Sequence, residues 1–346
     1  RKLLDLSARI AMRAYDTKAD IDVVLSGVET DFHESTAQLT SDELASAEQL
    51  MSTLYDETEE TTRRKGITGI TTGLADVDAI LGGLHKSDFN ILAARPSVGK
   101  TAAMLNIALA AAKADYSVLL ISLEMSALQI AQRLACIECG LSGHNLRQGK
   151  LKDDDWPRLM DAMQRISLLP IHVVYSGAFK PSQMRAIANR VQAEHGLDLL
   201  CVDYLQLMTA DDDVRNRQEA VASISREMKR IARQLDVPVL ANAQLSRGLE
   251  ARVDKRPMLS DLRESGALEQ DADVVNFLYR HEIYEPEQAE TRAQMEWIVG
   301  KHRNGPIGTA LLVFRAWCGQ VVSTKVVHED GIQIRMPLDG LGLKEE

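Results

Sequence analysis

The feature that most constrains this chain is a short loop ending in Gly-Lys-Thr, placed between an apolar run and a helical pattern. Phe89–Ala93 is a continuous apolar run, and apolar residues recur at helical spacing from Lys100 onward. Residues 94–101 read Ala-Arg-Pro-Ser-Val-Gly-Lys-Thr. A strand, such a loop and a helix are typical of a phosphate-binding site, although Ala94 stands where the strict pattern has its first glycine. We therefore expect a bound nucleotide here; the alternative is a turn that only resembles the motif.

Each residue type in this loop has a physical reason to be there. Gly99 lets main-chain N–H groups approach the phosphates, Lys100 reaches the β and γ oxygens, and the Thr101 hydroxyl can bind Mg²⁺. The helix that follows adds its free N–H groups and the positive end of its dipole. The residues predicted to bind the nucleotide at this loop are Ser97, Val98, Gly99, Lys100, Thr101 and Ala102.

Beyond residue 67 the chain alternates between short apolar runs and helical patterns. The predicted strands are Phe89–Ala93, Val118–Ser122, Ile171–Tyr175, Leu199–Asp203 and Val237–Ala241. The helical patterns between them are Lys100–Lys113, Ala127–Cys139, Asp153–Ser167, Pro181–His195 and Gln218–Leu235. This alternation predicts an α/β fold, with a parallel sheet buried by helices on both faces. The last part adds Asp273–Tyr279, Gln294–Gly300 and Ile307–Phe314, with the hairpin signal Asn304-Gly305 between the last two.

Three polar residues stand where predicted strands end, and this is where the ligand crevice of a parallel sheet forms. Asp203 closes an apolar run and is the expected partner of the metal ion, unless it only caps a turn. Glu124 follows Val118–Ser122 and is the candidate catalytic carboxylate, the alternative being a surface acid. Gln244 ends the run that starts at Val237; it either responds to the γ-phosphate or is an ordinary loop residue.

Composition limits the partners and the setting. The 346 residues include 40 basic and 50 acidic side chains, giving a net charge of −10. This balance argues against a purely electrostatic nucleic-acid coat, but not against a narrow nucleic-acid site. No apolar stretch is long enough for a membrane span. The four cysteines, among them Cys136 and Cys139, lack zinc spacing and are expected to be core thiols in a reducing, cytoplasmic compartment.

The first 66 residues differ from the rest. Apolar residues recur at helical spacing from Leu3 to Ala14, and a second amphipathic run extends from Leu44 to Tyr55. These helices have too little apolar surface for a core of their own, so they either pack on their own domain or form a linker that docks on a neighbouring subunit. The chain starts without Met, and we expect it to be part of a longer protein.

Seven segments, in order along the chain, carry a resemblance to one family. They are Ile67–Gly73, Ala94–Thr101, Ser122–Ser126, Val202–Met208, Gln244–Arg247, Asp261–Gly266 and Gly300–Pro306. On these segments the chain resembles the bacterial replicative DNA helicases of the DnaB family, over residues 67–314. It departs from the family at His302, where glutamine is usual, and at Ala243, where serine is frequent. Neither departure removes a proposed catalytic group.

The resemblance implies a RecA-like motor domain over residues 67–346, with a C-terminal antiparallel hairpin, and a helical linker region over residues 1–66. It implies that Lys100, Thr101 and Asp203 hold ATP and Mg²⁺. The family's N-terminal domain, which faces primase, is not expected in this chain.

Further roles are implied for single positions. Glu124 resembles the family's hydrolytic glutamate, and Gln244 resembles the glutamine that couples nucleotide state to DNA loops. Arg133 resembles a nucleotide contact, with a solvated helix arginine as the alternative. The DNA contacts implied by the resemblance are Arg263, Glu264 and Gly266, in a segment expected to be a loop; a merely structural loop is the alternative.

Lys301 and Arg303 resemble the family's arginine finger, which is supplied to the next subunit. They flank the predicted hairpin, so we expect them to project past the sheet edge without a partner in their own subunit. A cation donated to a neighbour's γ-phosphate stabilises charge in the transition state; the alternative is an ordinary charge at a hairpin tip. If they are donated, the active site lies between subunits. A head-to-tail interface that closes gives a ring, and the resemblance implies a hexamer.

The function that the resemblance implies is an ATP-dependent helicase that moves 5′-to-3′ on single-stranded DNA and unwinds duplex at the replication fork. It implies primase and a helicase loader as partners, and a cytoplasmic, nucleoid-associated location without a membrane. Two other classes stay open on the residues alone. One is a RecA-type recombinase or repair ATPase, which forms filaments, and the other is an ATP-binding scaffold that does not unwind DNA.

Overall fold

The computed structural model describes residues 46–63, 67–177, 179–210, 216–285, 293–327 and 333–335. The chain divides into two units, Arg1–Lys65 and Gly66–Glu346. In the first unit the described part is one helix, α1 (Ala47–Arg63). This helix confirms the second amphipathic run, whereas the pattern from Leu3 to Ala14 lies outside the described residues.

The second unit is built on a nine-stranded sheet. Its strands are β1 (Phe89–Ala94), β2 (Val118–Ser122), β3 (Ile171–Tyr175), β4 (Leu199–Asp203), β5 (Val239–Gln244), β6 (Val274–Tyr279), β7 (Gln294–His302), β8 (Gly308–Arg315) and β9 (Gln320–Ser323). They lie in the order β3-β2-β4-β5-β1-β6-β7-β8-β9, parallel from β3 to β6 and antiparallel from β6 to β9. A separate antiparallel pair consists of β10 (Lys325–Val327) and β11 (Gln333–Arg335). The predicted α/β fold with C-terminal antiparallel strands is confirmed.

The helices of this unit are α2 (Ala75–Leu81), α3 (Lys100–Lys113), α4 (Ala127–Cys139), α5 (Gly143–Gln148), α6 (Asp155–Ser167), α7 (Pro181–His195), α8 (Arg217–Leu235) and α9 (Gly266–Asp271). Within the described residues, 3₁₀ segments cover Leu205–Leu207, Arg247–Ala251, Leu259–Ser265 and His281–Ile283. Their boundaries have local causes: at the start of α4, for example, Ser126 and Gln129 cap one another. Among the described helices, none combines the length and apolar composition that crossing a bilayer requires.

Strand β1 lies inside the sheet and separates two parts of the core. All of its residues are buried. Leu92 belongs to the apolar cluster that includes residues of α3, whereas Ile91 belongs to the cluster that includes residues of α7 and α8. Because both faces are covered, this strand reads as one apolar run. Strand β3 differs from the prediction of a buried strand: four of its side chains are only partly buried and that of Tyr175 is exposed, because the strand lies at the sheet edge with one neighbour.

The polar segment around residues 260–267 is not the predicted loop. It forms the 3₁₀ segment Leu259–Ser265 and then enters α9. The Asp261 carboxylate accepts hydrogen bonds from the Met258 N–H and from Arg252 Nη2, both at 2.8 Å. Leu262 is buried as well. These contacts supply the cap and the apolar anchor of a helical turn, which outweigh the polar composition.

Candidate active site

The carboxyl ends of β1, β2, β4 and β5 meet at one edge of the sheet, beside a cavity of about 850 Å³. Its other walls come from α4, α5 and the turn between β8 and β9. The predicted site residues that line it are Ser97, Gly99, Lys100, Thr101, Ala102, Glu124, Arg133 and Gln244. The crevice therefore forms at the strand ends, as expected for a parallel sheet.

The loop before α3 has the backbone that its glycine requires. Gly99 has a φ of 114°, and a β-carbon there would lie 3.2 Å from Met295 Cε and from Phe314 Cζ. The left-handed conformation is strained for any residue other than glycine, and a β-carbon would have little room. Val98 is buried in the core and so can offer only its main chain to a ligand. Ala94 ends β1 without a positive φ, so its β-carbon is tolerated where the strict motif has glycine.

Lys100 lines the cavity beside an aromatic ring and close enough to two acids to be influenced by their charges. Its Nζ lies 4.6 Å from the centre of the Tyr204 ring. Burial lowers the pKa of Lys100, while the charges of Asp203 and Glu124 oppose that shift. A partly buried ammonium group that lines a cavity is suited to binding an anion.

Thr101 and Asp203 meet just behind the loop. Thr101 Oγ1 donates a hydrogen bond of 2.7 Å to Asp203 Oδ2, and Asn242 Nδ2 donates one of 2.8 Å to Asp203 Oδ1. Asp203 is only 5% exposed. Hydroxyl and carboxylate oxygens are the donors that Mg²⁺ prefers, so this pair fits the expected ion.

Glu124 lies in the turn between β2 and α4, with an exposed side chain beside the cavity. The turn is fixed on both sides: the Leu123 N–H donates to the Asp203 carbonyl at 2.7 Å, and the Met125 N–H donates to Ser122 Oγ at 3.0 Å. Arg133 lies on α4, exposed and lining the same cavity. Glu124 and Arg133 therefore bring a carboxylate and a guanidinium to the lining of this cavity.

Gln244 lines both this cavity and a second one of about 250 Å³. Its main chain is held by the Gln206 side chain, which follows β4: Gln206 Nε2 donates to the Gln244 carbonyl, and the Gln244 N–H donates to Gln206 Oε1, both at 3.2 Å. Two residues on, the Ser246 N–H donates to the Asp261 carbonyl at 3.1 Å. Hydrogen bonds thus connect the end of β5 to the 3₁₀ segment that contains Arg263.

No sequence pattern singled out Arg280, which also lines the main cavity. It follows β6, its guanidinium lies 4.5 Å from the centre of the Phe314 ring, and it pairs with Glu282. Its Nη1 lies 3.5 Å from the carbonyl oxygens of Ser97 and Val98. Arg280 could have been found by the same signal that identified Glu124, namely its position directly after a strand of the parallel sheet.

Lys301 and Arg303 are not in this cavity. In the sheet, Asn90 near the start of β1 pairs with Val274, which pairs with His302 at the end of β7. The two cations therefore lie at the amino-terminal edge of β1, whereas the phosphate loop follows its carboxyl end. Within one chain they stand at opposite edges of the sheet.

The expectation that these cations have no partner in their own chain is wrong. Lys301 Nζ donates to the carbonyl oxygens of Glu269 at 2.6 Å and Ala272 at 2.7 Å, and Arg303 Nη1 donates to Asp273 Oδ1 at 3.0 Å. The end of α9 presents these acceptors beside the hairpin. Burial lowers the pKa of Lys301, and the charge of Arg303 acts in the same direction. Arg303 is half exposed, so its contact with Asp273 is accessible to exchange.

The predicted DNA residues lie away from the main cavity. Gly266 is exposed at the start of α9, and within the described part of the chain no atom lies where its β-carbon would be. The side chains of Arg263 and Glu264 lie outside the described residues; their main chain belongs to the 3₁₀ segment.

The parallel sheet, the phosphate loop and the acid at the end of β4 define a RecA-like nucleotide hydrolase. Comparisons with known proteins narrow this class. The family model described as "DnaB-like helicase C terminal domain" matches residues 69–322. The chain is 43% identical to the replicative DNA helicase DnaC of Bacillus subtilis (strain 168) and 42% identical to the replicative DNA helicase DnaB of Geobacillus stearothermophilus. Each alignment spans 317 residues, 91% of this chain and 70% of the relative.

Comparisons with solved structures indicate the same family as the comparisons of sequence. One that is described as an ATPase domain matches with a TM-score of 0.77 and 36% identity, over 81% of this chain and 99% of that chain. A structure of a DnaB-like replicative helicase and its interactions with primase matches with a TM-score of 0.78 and 33% identity, over 93% of this chain and 75% of that chain. The chain therefore belongs to the DnaB-like helicases. It is a replicative DNA helicase that hydrolyses ATP, which confirms the predicted class over a recombinase or a scaffold.

Proposed function

We propose that copies of this chain form a closed hexameric ring that encircles single-stranded DNA, and that each ATP site is completed by Lys301 and Arg303 of a neighbour. The observation that carries this proposal is the placement of the phosphate loop and the two cations at opposite edges of one sheet. A head-to-tail contact brings one edge against the other, and such a contact closes into a ring when its rotation allows.

Within one chain, the residues around the cavity have different roles in binding and hydrolysing ATP. The loop residues Ser97 to Ala102 hold the phosphates, and Lys100 pairs with their charge. Glu124 accepts a proton from the attacking water, and Arg133 contacts the nucleotide beyond the phosphates. Thr101 and Asp203 would hold Mg²⁺, which when bound neutralises charge on the phosphate oxygens.

Movement on DNA follows from the hydrogen-bonded connection behind Gln244. Gln244 faces the nucleotide, and Ser246 binds the main chain of Asp261, two residues before Arg263. A shift of β5 on hydrolysis therefore reaches Arg263, Glu264 and Gly266. These residues contact the DNA backbone, as a motor that works on any sequence needs. By likeness to its relatives, the motor travels 5′-to-3′.

The remaining partners are proposed on likeness alone. One structural relative is described with its interactions with primase, and we extend that partner to this chain. Residues 1–66 serve as a helical linker region. A helicase loader, and a cytoplasmic site of action on the nucleoid, complete the proposal.

The shared active site is tested by mixing two inactive variants. Arg303→Ala keeps its own nucleotide site and loses the cation for its neighbour, whereas Glu124→Ala does the reverse. In rings formed from equal amounts of both, about a quarter of the seams combine an intact pocket with an intact cation. We expect each variant alone to lose about 10³-fold in ATP hydrolysis, and the mixture to recover a fraction of it. Mixed rings without any recovery would contradict a site made by two chains.

Direction is tested separately on forked DNA. Two duplexes are prepared with equal arms, one having a bulky block on the 5′ tail and the other on the 3′ tail. A ring that loads on the 5′ tail is stopped only by the block on that tail. Unwinding that stops only with the 3′ block would contradict the proposed direction.

A further inference from the structure

Asn242 is a polar residue in the middle of the core, in β5. It has no exposed surface. Its Nδ2 donates to Asp203 Oδ1 at 2.8 Å and lies 3.6 Å from Met104 Sδ of α3, while its Oδ1 is buried without a hydrogen-bond partner among the described residues. An unpaired buried oxygen costs free energy, so packing alone does not favour an amide here.

The contact between Asn242 and Asp203 gives a reason for keeping an amide at this position in spite of its unpaired oxygen. One carboxylate oxygen accepts from Thr101 and the other from Asn242, so the plane of the carboxylate is held at both ends. With the Thr101 contact alone, the carboxylate would be free to turn about its terminal torsion, which is broad for aspartate. The amide therefore keeps Oδ2 beside the Thr101 hydroxyl.

We propose that Asn242 is a positioning residue for Mg²⁺: it touches neither ion nor nucleotide, and it orients Asp203 for binding the ion. The inference rests on the proposed metal role of Thr101 and Asp203. Groups that orient a metal ligand typically change metal affinity by about 10- to 100-fold when they are removed.

The test measures the Mg²⁺ concentration that half-saturates binding of a fluorescent ADP analogue to the full chain, without turnover. Asn242→Leu and Asn242→Ser both remove the amide, the first keeping volume and the second keeping a polar group. We expect half-saturation to need about 10-fold more Mg²⁺ in each, with analogue binding in EDTA unchanged.

Asn276 provides the matched control, because it is an equally buried asparagine in the same sheet, on β6, which is separated from β5 by β1. It bonds to Trp297 and to the Ile91 carbonyl, away from Asp203. Asn276→Leu should lower the melting temperature and leave the Mg²⁺ requirement within two-fold. An unshifted requirement in both folded Asn242 variants, or an equal shift in Asn276→Leu, would overturn the inference. If the wild type binds the analogue equally well with and without Mg²⁺, the metal site of the proposed function fails, and this inference fails with it.

Discussion

Thr101 Oγ1 lies 2.7 Å from Asp203 Oδ2, although the two residues are far apart in the chain. The contact joins the first turn of α3 to the end of β4, so the hydroxyl and the carboxylate face one position. Either group could bind an ion weakly by itself; together they supply two hard oxygen donors without any movement of the backbone.

Removing this hydroxyl should therefore lower the rate of ATP hydrolysis more than it lowers the affinity for the nucleotide. We expect Thr101→Val to lower the rate of ATP hydrolysis by about 100-fold, because an ion that neutralises phosphate charge is worth several kcal/mol in the transition state. Steady-state kinetics with saturating ATP measure the effect. Thr101→Ser keeps the hydroxyl and serves as the control. Equal losses in both variants would contradict a role that belongs to the hydroxyl oxygen alone.

A second prediction concerns the stability of the opposite edge. Asp273 is 2% exposed; it accepts from Lys229 Nζ at 2.5 Å, from the Phe89 N–H at 2.8 Å and from Arg303 Nη1 at 3.0 Å. Asp273→Asn keeps an oxygen for Phe89 but leaves the largely buried Lys229 without this counter-charge. We expect a loss of about 3 kcal/mol in the free energy of unfolding, measured with urea.

The control for this change is Asp236→Asn. Asp236 is largely exposed and pairs with Lys86 at 3.7 Å, so the same substitution should cost less than about 1 kcal/mol. Comparable losses at the two positions would mean that the Asp273 network is no stronger than a surface ion pair.

The parts of the fold that the sequence predicted well are those with local causes. Strand β4 and helix α7 have their predicted bounds, because the strand is one apolar run and the helix begins at Pro181. The edge position of β3 could not be predicted, since strand order depends on how distant segments pair. The helical turn at Asp261 was missed because its cap comes partly from Arg252, through tertiary contact.

The candidate site shows the same contrast between features with local causes and features that depend on tertiary contacts. The phosphate loop and Asp203 were predictable from their position around strands. Asn242 was not, because its role depends on a contact with a residue 39 positions away. The partners of Arg303 were missed for a similar reason: Asp273 is 30 positions away and is placed beside it by the pairing of β6 with β7.

A third prediction addresses communication between nucleotide and DNA. Gln206 holds the main chain of Gln244 with two hydrogen bonds, one given and one accepted. Gln206→Glu loses the donor and keeps the acceptor, so it should loosen one bond; Gln206→Ala loses both. We expect the ratio of DNA-stimulated to basal ATP hydrolysis to fall in the order wild type, glutamate, alanine.

Gln192, in the last turn of α7, is the matched control. Its Nε2 also donates to a main-chain carbonyl, that of Leu235, at 2.9 Å. Gln192→Ala should leave the ratio unchanged. A ratio that is insensitive to both Gln206 variants would contradict coupling through this contact.

The last prediction follows from the partly buried charge of Lys100. Burial lowers the pKa of this lysine in the folded chain, against an ordinary value of about 10.4 in the unfolded chain. Below the folded pKa, the charged lysine therefore lowers stability, and that penalty disappears as pH rises toward the unfolded value. Lys100→Met should abolish hydrolysis and yet raise the melting temperature at pH 7 by about 2 °C, an advantage that shrinks toward pH 10. Lys86→Met, at a largely exposed lysine, is the control and should change the melting temperature little at either pH. A variant at Lys100 that melts below the wild type at pH 7 would show that Asp203 and Glu124 compensate the buried charge fully.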